Sequence, residues 1–304
     1  LYAVPVPEQA GVSNTTVTMN AASMNNSGFE FSATYRNRDH DFKYEVSANL
    51  STLRNRVTSL GFGTDSYISG SYITKVGEEI GQFYGWVYEG IARTQEVLDN
   101  HATQEGAQIG DCLYKDVNND GKVDSEDQVV LGSGMPKINF GLNARFEYKR
   151  FDLSIATFGA LNYHVSDDIY NSLNSCYGWG NKEVGMLDAN RFSEDGSTYL
   201  SNVPRTYVTN SASLGWNDLF SSRKIQNAAY WKIANVELGY NFPDKWFDKY
   251  VSDVRFYISA QNLHTFTGYH GYNVDYAGGT FTPGYNFCSY PTARTFMCGV
   301  HFTF

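Results

Sequence analysis

The run Thr295-Phe296-Met297-Cys298-Gly299-Val300-His301-Phe302-Thr303-Phe304 decides the fold. Successive side chains of an extended strand point to opposite faces. Phe296, Cys298, Val300, Phe302 and Phe304 therefore share one face, and Thr295, Met297, Gly299, His301 and Thr303 the other. Ten alternating residues exceed the five or six of an ordinary strand and match the roughly 9 to 11 that a tilted strand needs to cross a bilayer.

Working outward, the same dyad returns. Val254, Phe256, Ile258 and Ala260 oppose Asp253, Arg255, Tyr257, Ser259 and Gln261. Ala234, Val236, Leu238, Tyr240 and Phe242 oppose Asn235, Glu237, Gly239 and Asn241. Phe140, Leu142, Ala144, Phe146 and Tyr148 oppose Asn139, Gly141, Asn143, Arg145 and Glu147, and Phe151, Leu153 and Ile155 continue the pattern. Towards the amino end, Phe29, Phe31, Ala33 and Tyr35 form one such set and Phe42, Tyr44, Val46, Ala48 and Leu50 another. The connections alternate as well: 37–40, 149–150 and 243–252 are short, whereas 52–137, 161–230 and 264–293 are long. Outer-membrane barrels join strands by short turns on the periplasmic side and longer loops outside. The expectation is an all-β fold, a transmembrane antiparallel β-barrel in which Phe140, Leu142, Phe146, Val236, Leu238, Phe256, Ile258, Phe296, Val300 and Phe302 face lipid and Arg145, Glu147, Glu237 and Arg255 face the lumen. A soluble, secreted β-rich carbohydrate-binding or hydrolytic protein is the alternative, and it requires those apolar faces to pack on one another.

Composition agrees with the first reading. The 304 residues carry 23 Lys and Arg against 32 Asp and Glu, a net charge of −9, which disfavours a nucleic-acid binder. Aromatic residues make up 16% of the chain, yet no apolar run approaches the 18 residues of a membrane helix. Cys112, Cys176, Cys288 and Cys298 show no C-x-x-C spacing, so zinc ligation is not expected, and a disulfide is left open.

Several stretches together resemble the SusC/RagA-like TonB-linked outer-membrane transporters of Bacteroidetes. They are Gly81-Gln82-Phe83-Tyr84-Gly85 through Gly90-Ile91, Gly110-Asp111 with Asp116-Val117-Asn118-Asn119-Asp120-Gly121, Tyr230 through Pro243, Gln261-Asn262-Leu263, and Tyr290-Pro291 with Arg294-Thr295. The resemblance implies that residues 1–304 are the carboxyl-terminal portion of a 22-stranded TonB-dependent transporter barrel, with 53–137, 161–230 and 265–293 as extracellular loop regions. It implies that the plug domain and earlier strands lie outside this chain. It also implies import of a nutrient, an oligosaccharide or a peptide, across the outer membrane. The implied partners are a SusD-like surface lipoprotein, the TonB-ExbB-ExbD complex, the remainder of the same transporter and outer-membrane lipid. Phe304, a final aromatic on an alternating strand, resembles the signal read by the barrel-assembly machinery.

Asp116, Asn118, Asp120, Lys122, Asp124 and Asp127 occupy positions 1, 3, 5, 7, 9 and 12 of an EF-hand-type loop, with Gly121 at position 6. Oxygens at alternating positions converge on one cation, and Gly permits the sharp turn. The expectation is a structural calcium ion that rigidifies the loop, with the carbonyl of Lys122 as one ligand; a metal-free turn rich in Asp, Asn and Gly is the alternative. A dockerin needs a second such repeat, and the sequence has none.

Tyr163, Tyr170, Tyr177, Trp179, Trp216, Tyr269 and Tyr272 crowd the long loops beside small polar residues. Flat rings with polar edges suit sugar rings or peptide side chains, so these are the candidate substrate-binding residues, with loop packing or an interface girdle as the competing role. No H-E-x-x-H, nucleophile elbow or phosphate loop occurs, and no enzyme is expected.

Overall fold

The computed structural model describes residues 2–5, 16–19, 22–60, 63–176, 180–206, 212–243, 246, 251, 253–275 and 278–303. Phe304, Tyr177 and Trp179, singled out above, lie outside the described residues.

All seven dyad segments become strands: β1 (Ser23–Asn37), β2 (Phe42–Ser59), β3 (Ile138–Tyr148), β4 (Phe151–Leu161), β5 (Tyr230–Asn241), β6 (Asp253–Thr267) and β7 (Thr295–Thr303). They form one antiparallel meander, each strand beside its predecessor in sequence. No helix among the described residues is long and apolar enough to cross a membrane, which bears on helical spans alone.

Register fixes the two faces. Phe146 stands opposite Tyr44 and Leu153, Leu238 opposite Leu153 and Ile258, and Phe256 opposite Val300. This face is apolar and uncovered: Leu142, Leu238, Ile258, Phe296, Val300 and Phe302 are all exposed, and Phe140, Phe146 and Val236 are half-exposed. Packing of these side chains in a core, as the soluble alternative requires, does not occur. At its lower margin the face carries a belt of rings, with Tyr35–Tyr44, Phe42–Phe146 and Phe151–Tyr240 centroids 5.8, 6.0 and 4.8 Å apart. Trp231 and Phe266 stack at 5.3 Å near its upper margin. The ten steps from Tyr148 to Ile138 rise roughly 33 Å along the strand, or about 25 Å along the normal at a 40° tilt, the height of a barrel's apolar band.

Two features depart from the simple alternation. Thr157 pairs with Ile233 while Ala156 pairs with Asn235, so Ala234 is bulged out of register. A bulge inverts the side-chain phase beyond it. Trp231 therefore turns onto the apolar face, and Lys232 turns to the other side and is buried. Opposite Ala234, β6 also carries extra residues between Gln261 and His264, with Asn262 at φ 52°, a conformation Asn tolerates better than most residues. Second, β1 and β2 run past their dyad segments, from Ser23 and to Ser59. There Asn25, Ser27, Arg54 and Arg56 replace apolar residues on the same face, because this part of the hairpin lies above the apolar band.

The packed cores lie in the long connections. Residues 60–137 hold a four-stranded sheet (Ser66–Ser69, Tyr72–Lys75, Gln82–Gly85 and Val129–Ser133) and a ribbon pairing Tyr88–Ile91 with Cys112–Tyr114. In the second connection His164–Asp167 pairs antiparallel with Gln226–Asn227 and parallel with Tyr285–Asn286 of the third. One core joins Cys112, Tyr114 and Val123 to Trp86, Tyr88, Trp216 and Leu219; another joins Ala160, Tyr163, Val165, Ala228, Tyr269 and Val274. The three connections thus form a single layer over one end of the sheet.

Candidate functional site

The polar face of the sheet is graded along the strands. Near the short turns it is charged. Arg36 pairs with Glu45 at 2.8 Å, Arg145 with Glu147 at 3.0 Å, and Arg255 bridges Asp152 and Glu237 at 2.5 and 2.8 Å. Gly239 is where it is because a Cβ there would strike the Arg255 guanidinium and the Asp152 carboxylate. Midway the face becomes uncharged, with Ser47, Asn49, Ser51, Asn139, Gly141 and Asn143 in register. Under the loop layer it forms a recess of about 480 Å³ whose walls include Met24, Asn26, Asn55, Asn139, Tyr230 and Asp275. The amide of Asn55 donates to Asn26 Oδ1 at 2.6 Å and its oxygen accepts from the Ile80 N–H at 3.0 Å, so both are held in fixed orientation. Lys232 Nζ meets Asp275 at 2.5 Å beside this recess, a pair that ties the third connection to the wall. An amide- and hydroxyl-lined wall binds neutral polar molecules through many weak hydrogen bonds, each easily exchanged for water.

The loop aromatics divide. Tyr163 is 2% exposed and its hydroxyl donates to the Val274 carbonyl at 2.8 Å; burial pushes its phenol above the usual range. Tyr269 is 6% exposed, donates to Asp167 and accepts from the Asn286 amide at 2.9 Å. Both knit the loops together, and Tyr163 also lines the recess of about 480 Å³. Tyr170, on the short helix Asp168–Leu173, stacks on His270 at 6.0 Å, and Tyr272 is 67% exposed. Trp216 is half-buried and its indole N–H donates to Glu105 O at 2.8 Å. It shares a recess of about 560 Å³ with Trp86, whose indole N–H donates to Asp124 O at 2.9 Å. Trp86 and the amide-bearing wall residues Asn26, Asn55 and Asn139 were missed by the sequence reading. The wall residues were available from strand phase alone, whereas the meeting of Trp86 with Trp216 depends on loop packing.

In the acidic loop Gly121, at φ 86°, donates its N–H to Asp116 Oδ2 at 2.8 Å, and Asn118 and Asp120 accept from the N–H groups of Asp120 and Lys122 at 2.9 and 3.0 Å. Asp127 is fully buried; its oxygens accept from the Val117 and Asp124 N–H groups at 2.8 Å each. The Lys122 ammonium lies 2.8 Å from Asp124 and 3.5 Å from Asp120, which raises the Lys122 pKa and lowers that of Asp124. The loop is thus held as a turn by its own Asp and Asn side chains, with the ammonium of position 7 between two of the carboxylates. Among the described residues no three His, Cys, Asp or Glu side chains converge closely enough to hold a metal ion.

Two further polar clusters lock the layer. Arg205 grips the fully buried Asp111 at 2.5 and 3.0 Å, and Asn217 donates to the same carboxylate at 2.7 Å, joining the first connection to the second. Asp167, Tyr269 and Asn286 join the second to the third.

No protein-family profile matches the chain. It is 29% identical over its whole length to TonB-dependent receptor P3 of Formosa agariphila, of which it covers 31%. It is 25% identical over 96% of its length to TonB-dependent receptor SusC of Bacteroides thetaiotaomicron, of which it covers 27%. Its fold follows a chain of the RagAB peptide transporter with a TM-score of 0.79 at 21% identity, over the whole of this chain and 31% of that one. The closed-closed and open-open states of the RagAB peptide importer give 0.74 and 0.73. The chain thus spans about a third of the length of the proteins it matches.

Proposed function

Starting from a chain that belongs to the SusC/RagA-like TonB-dependent receptors of the outer membrane, we propose that it forms the carboxyl-side wall and three extracellular loops of a closed 22-stranded importer. The observation that carries this reading is the separation of the two sheet faces, one apolar and uncovered, the other charged, then amide-rich, then recessed beneath the loops. Lipid covers the first face and the lumen is lined by the second. The cargo is an oligosaccharide or a short peptide, held at the uncharged wall and the recess; similarity to a structure described as a peptide transporter supports the second class. A SusD-like lipoprotein closes over the loop layer, and TonB-ExbB-ExbD energises release by displacing a plug contributed by the remainder of the transporter. The family's members are transporters and not enzymes.

Calcium enters this reading as a brace of the acidic loop. Asp116, Asn118, Asp120, Asp124 and Asp127 would hold it, with the Lys122 ammonium swinging out as the cation enters, since both compete for Asp124 and Asp120. The ion does no chemistry there. Calorimetry on the whole receptor with wild-type and Asp120→Ala chains tests it: heat of binding in the first alone supports the brace, and none in either leaves Lys122 as the loop's counter-charge.

The import reading is tested by uptake of fluorescent oligosaccharide and peptide libraries into cells expressing the full receptor. Uptake of at least one class should vanish when either TonB or the lipoprotein is deleted. TonB-independent uptake, or recovery of the receptor in the soluble fraction, contradicts it.

A further inference from the structure

Above the apolar band, the membrane-side face of the β1–β2 hairpin opens into a recess of about 570 Å³. Phe29 and Ile138 mark the top of the band and floor the recess, and Arg54, Lys137, Glu79 and Asn162 rim it. Arg54 is the next membrane-side position on β2 after Thr52, whose hydroxyl is already engaged by the Phe29 N–H at 2.9 Å. The Arg54 side chain is exposed and no ion pair to it occurs among the described residues. Lys137 gives one N–H to Glu79 at 2.8 Å and, 46% exposed, keeps two donors free. Arg56, two residues further along the same face, adds a second exposed guanidinium. The rim therefore carries a net positive charge where the sequence switches from rings to cations.

We propose that this recess binds a phosphate-bearing lipid of the outer leaflet, its phosphate held between Arg54 and Lys137 and the start of its acyl chains laid on Phe29 and Ile138. Three observations favour a lipid over a free anion. The floor is apolar and continuous with the band that lipid tails cover. Arg54 and Arg56 stand on the membrane-side face of β2, facing away from the lumen, and Lys137, just before β3, reaches the same recess from its edge. A guanidinium and an ammonium at headgroup depth match a phosphate monoester or diester, the guanidinium by two parallel hydrogen bonds. The inference rests on the outer-membrane orientation proposed above but not on which nutrient is carried.

The test is native mass spectrometry of the full-length receptor in detergent, titrated with lipid A bearing one phosphate, with its phosphate-free counterpart and with inorganic phosphate. The wild type should prefer the phosphorylated lipid by about tenfold or more, the worth of a charge-assisted bond. Arg54→Gln with Lys137→Gln should abolish that preference, and Arg54→Lys should keep part of it. Lys43→Gln, which removes one positive charge from the lumen face, should leave it intact. An unchanged preference in the double variant, an equal loss in Lys43→Gln, or complete displacement by inorganic phosphate would each overturn the proposal. Because no cargo takes part in this measurement, its failure leaves the import reading standing, and failure of uptake leaves the lipid site standing.

Discussion

The seven-stranded wall and the loop layer are built from similar residues and obey opposite rules. In the wall, most large apolar side chains are exposed, Phe296 69% and Phe302 52% accessible, while the buried positions include the polar Asp152, Lys232 and Ser259. In the layer the order is the usual one, with Tyr114, Tyr163, Tyr199 and Phe83 inside. The difference teaches where each region finds its stability. The wall has backbone ladders and waits for lipid, whereas the layer carries its own cores and buried ion pairs.

The largest test of that contrast is Asp111→Ala. It strips a buried carboxylate from Arg205 and Asn217, and breaking such a pair costs roughly 3 to 5 kcal/mol. In the full receptor, hydrogen exchange at the amides of Cys112 and Asn217 should accelerate accordingly, with exchange in β3 to β6 unchanged. Acceleration throughout the wall would show the two regions to be one cooperative unit. Next comes Val300→Arg, which should destabilise the wall by about 2 to 4 kcal/mol if the site is near the bilayer midplane. Equilibrium unfolding in lipid vesicles measures it, and a neutral result would remove Val300 from the lipid.

Smaller effects sharpen the picture. Tyr269→Phe removes the hydroxyl that links Asp167 to Asn286 and should loosen the join between the second and third connections by about 1 kcal/mol, read by protease cleavage in 268–294. His164 is held below its ordinary pKa, first by burial and then by Lys137. The unfolded layer therefore binds more protons than the folded one, and the layer's stability should fall as pH drops below about 6.5, through the unfolded value and towards the lower folded one. Circular dichroism in the near ultraviolet between pH 7.5 and 5 follows it; a flat profile would show that protonation is tolerated in place.

How legible this was follows from the same contrast. Phe256, Ile258, Val300 and Phe302 announced their face because strand phase depends only on sequence neighbours. Lys232 and Trp231 did not, since the bulge at Ala234 inverts their phase and nothing apolar marks it; the motif Gln261-Asn262-Leu263 was its visible trace, through an Asn at positive φ. Tyr163 and Tyr269 looked like ligand platforms and are packed inside, because their neighbours Val274 and Asp167 come from other connections. The acidic loop was legible as a turn, since Gly121 and the alternating Asp and Asn residues make their bonds within a dozen residues. The ammonium of Lys122 between Asp120 and Asp124 was not, because the motif assigns that position only a carbonyl.

The most direct measurement uses the chain's own Cys298, exposed on the apolar face of β7, beside Met297 on the polar face. In native membranes holding the full receptor, a charged, water-soluble maleimide should label Met297→Cys and Asn143→Cys and leave Cys298 and Leu142→Cys unmodified. Cys288, exposed in the loop layer, should label as a control, and Cys112 and Cys176 should not, burial having pushed their thiols up to about 12 and about 11. Labelling of Cys298 and Leu142→Cys to the same extent as their polar-face neighbours would contradict the account, because the apolar face would then meet water and not lipid.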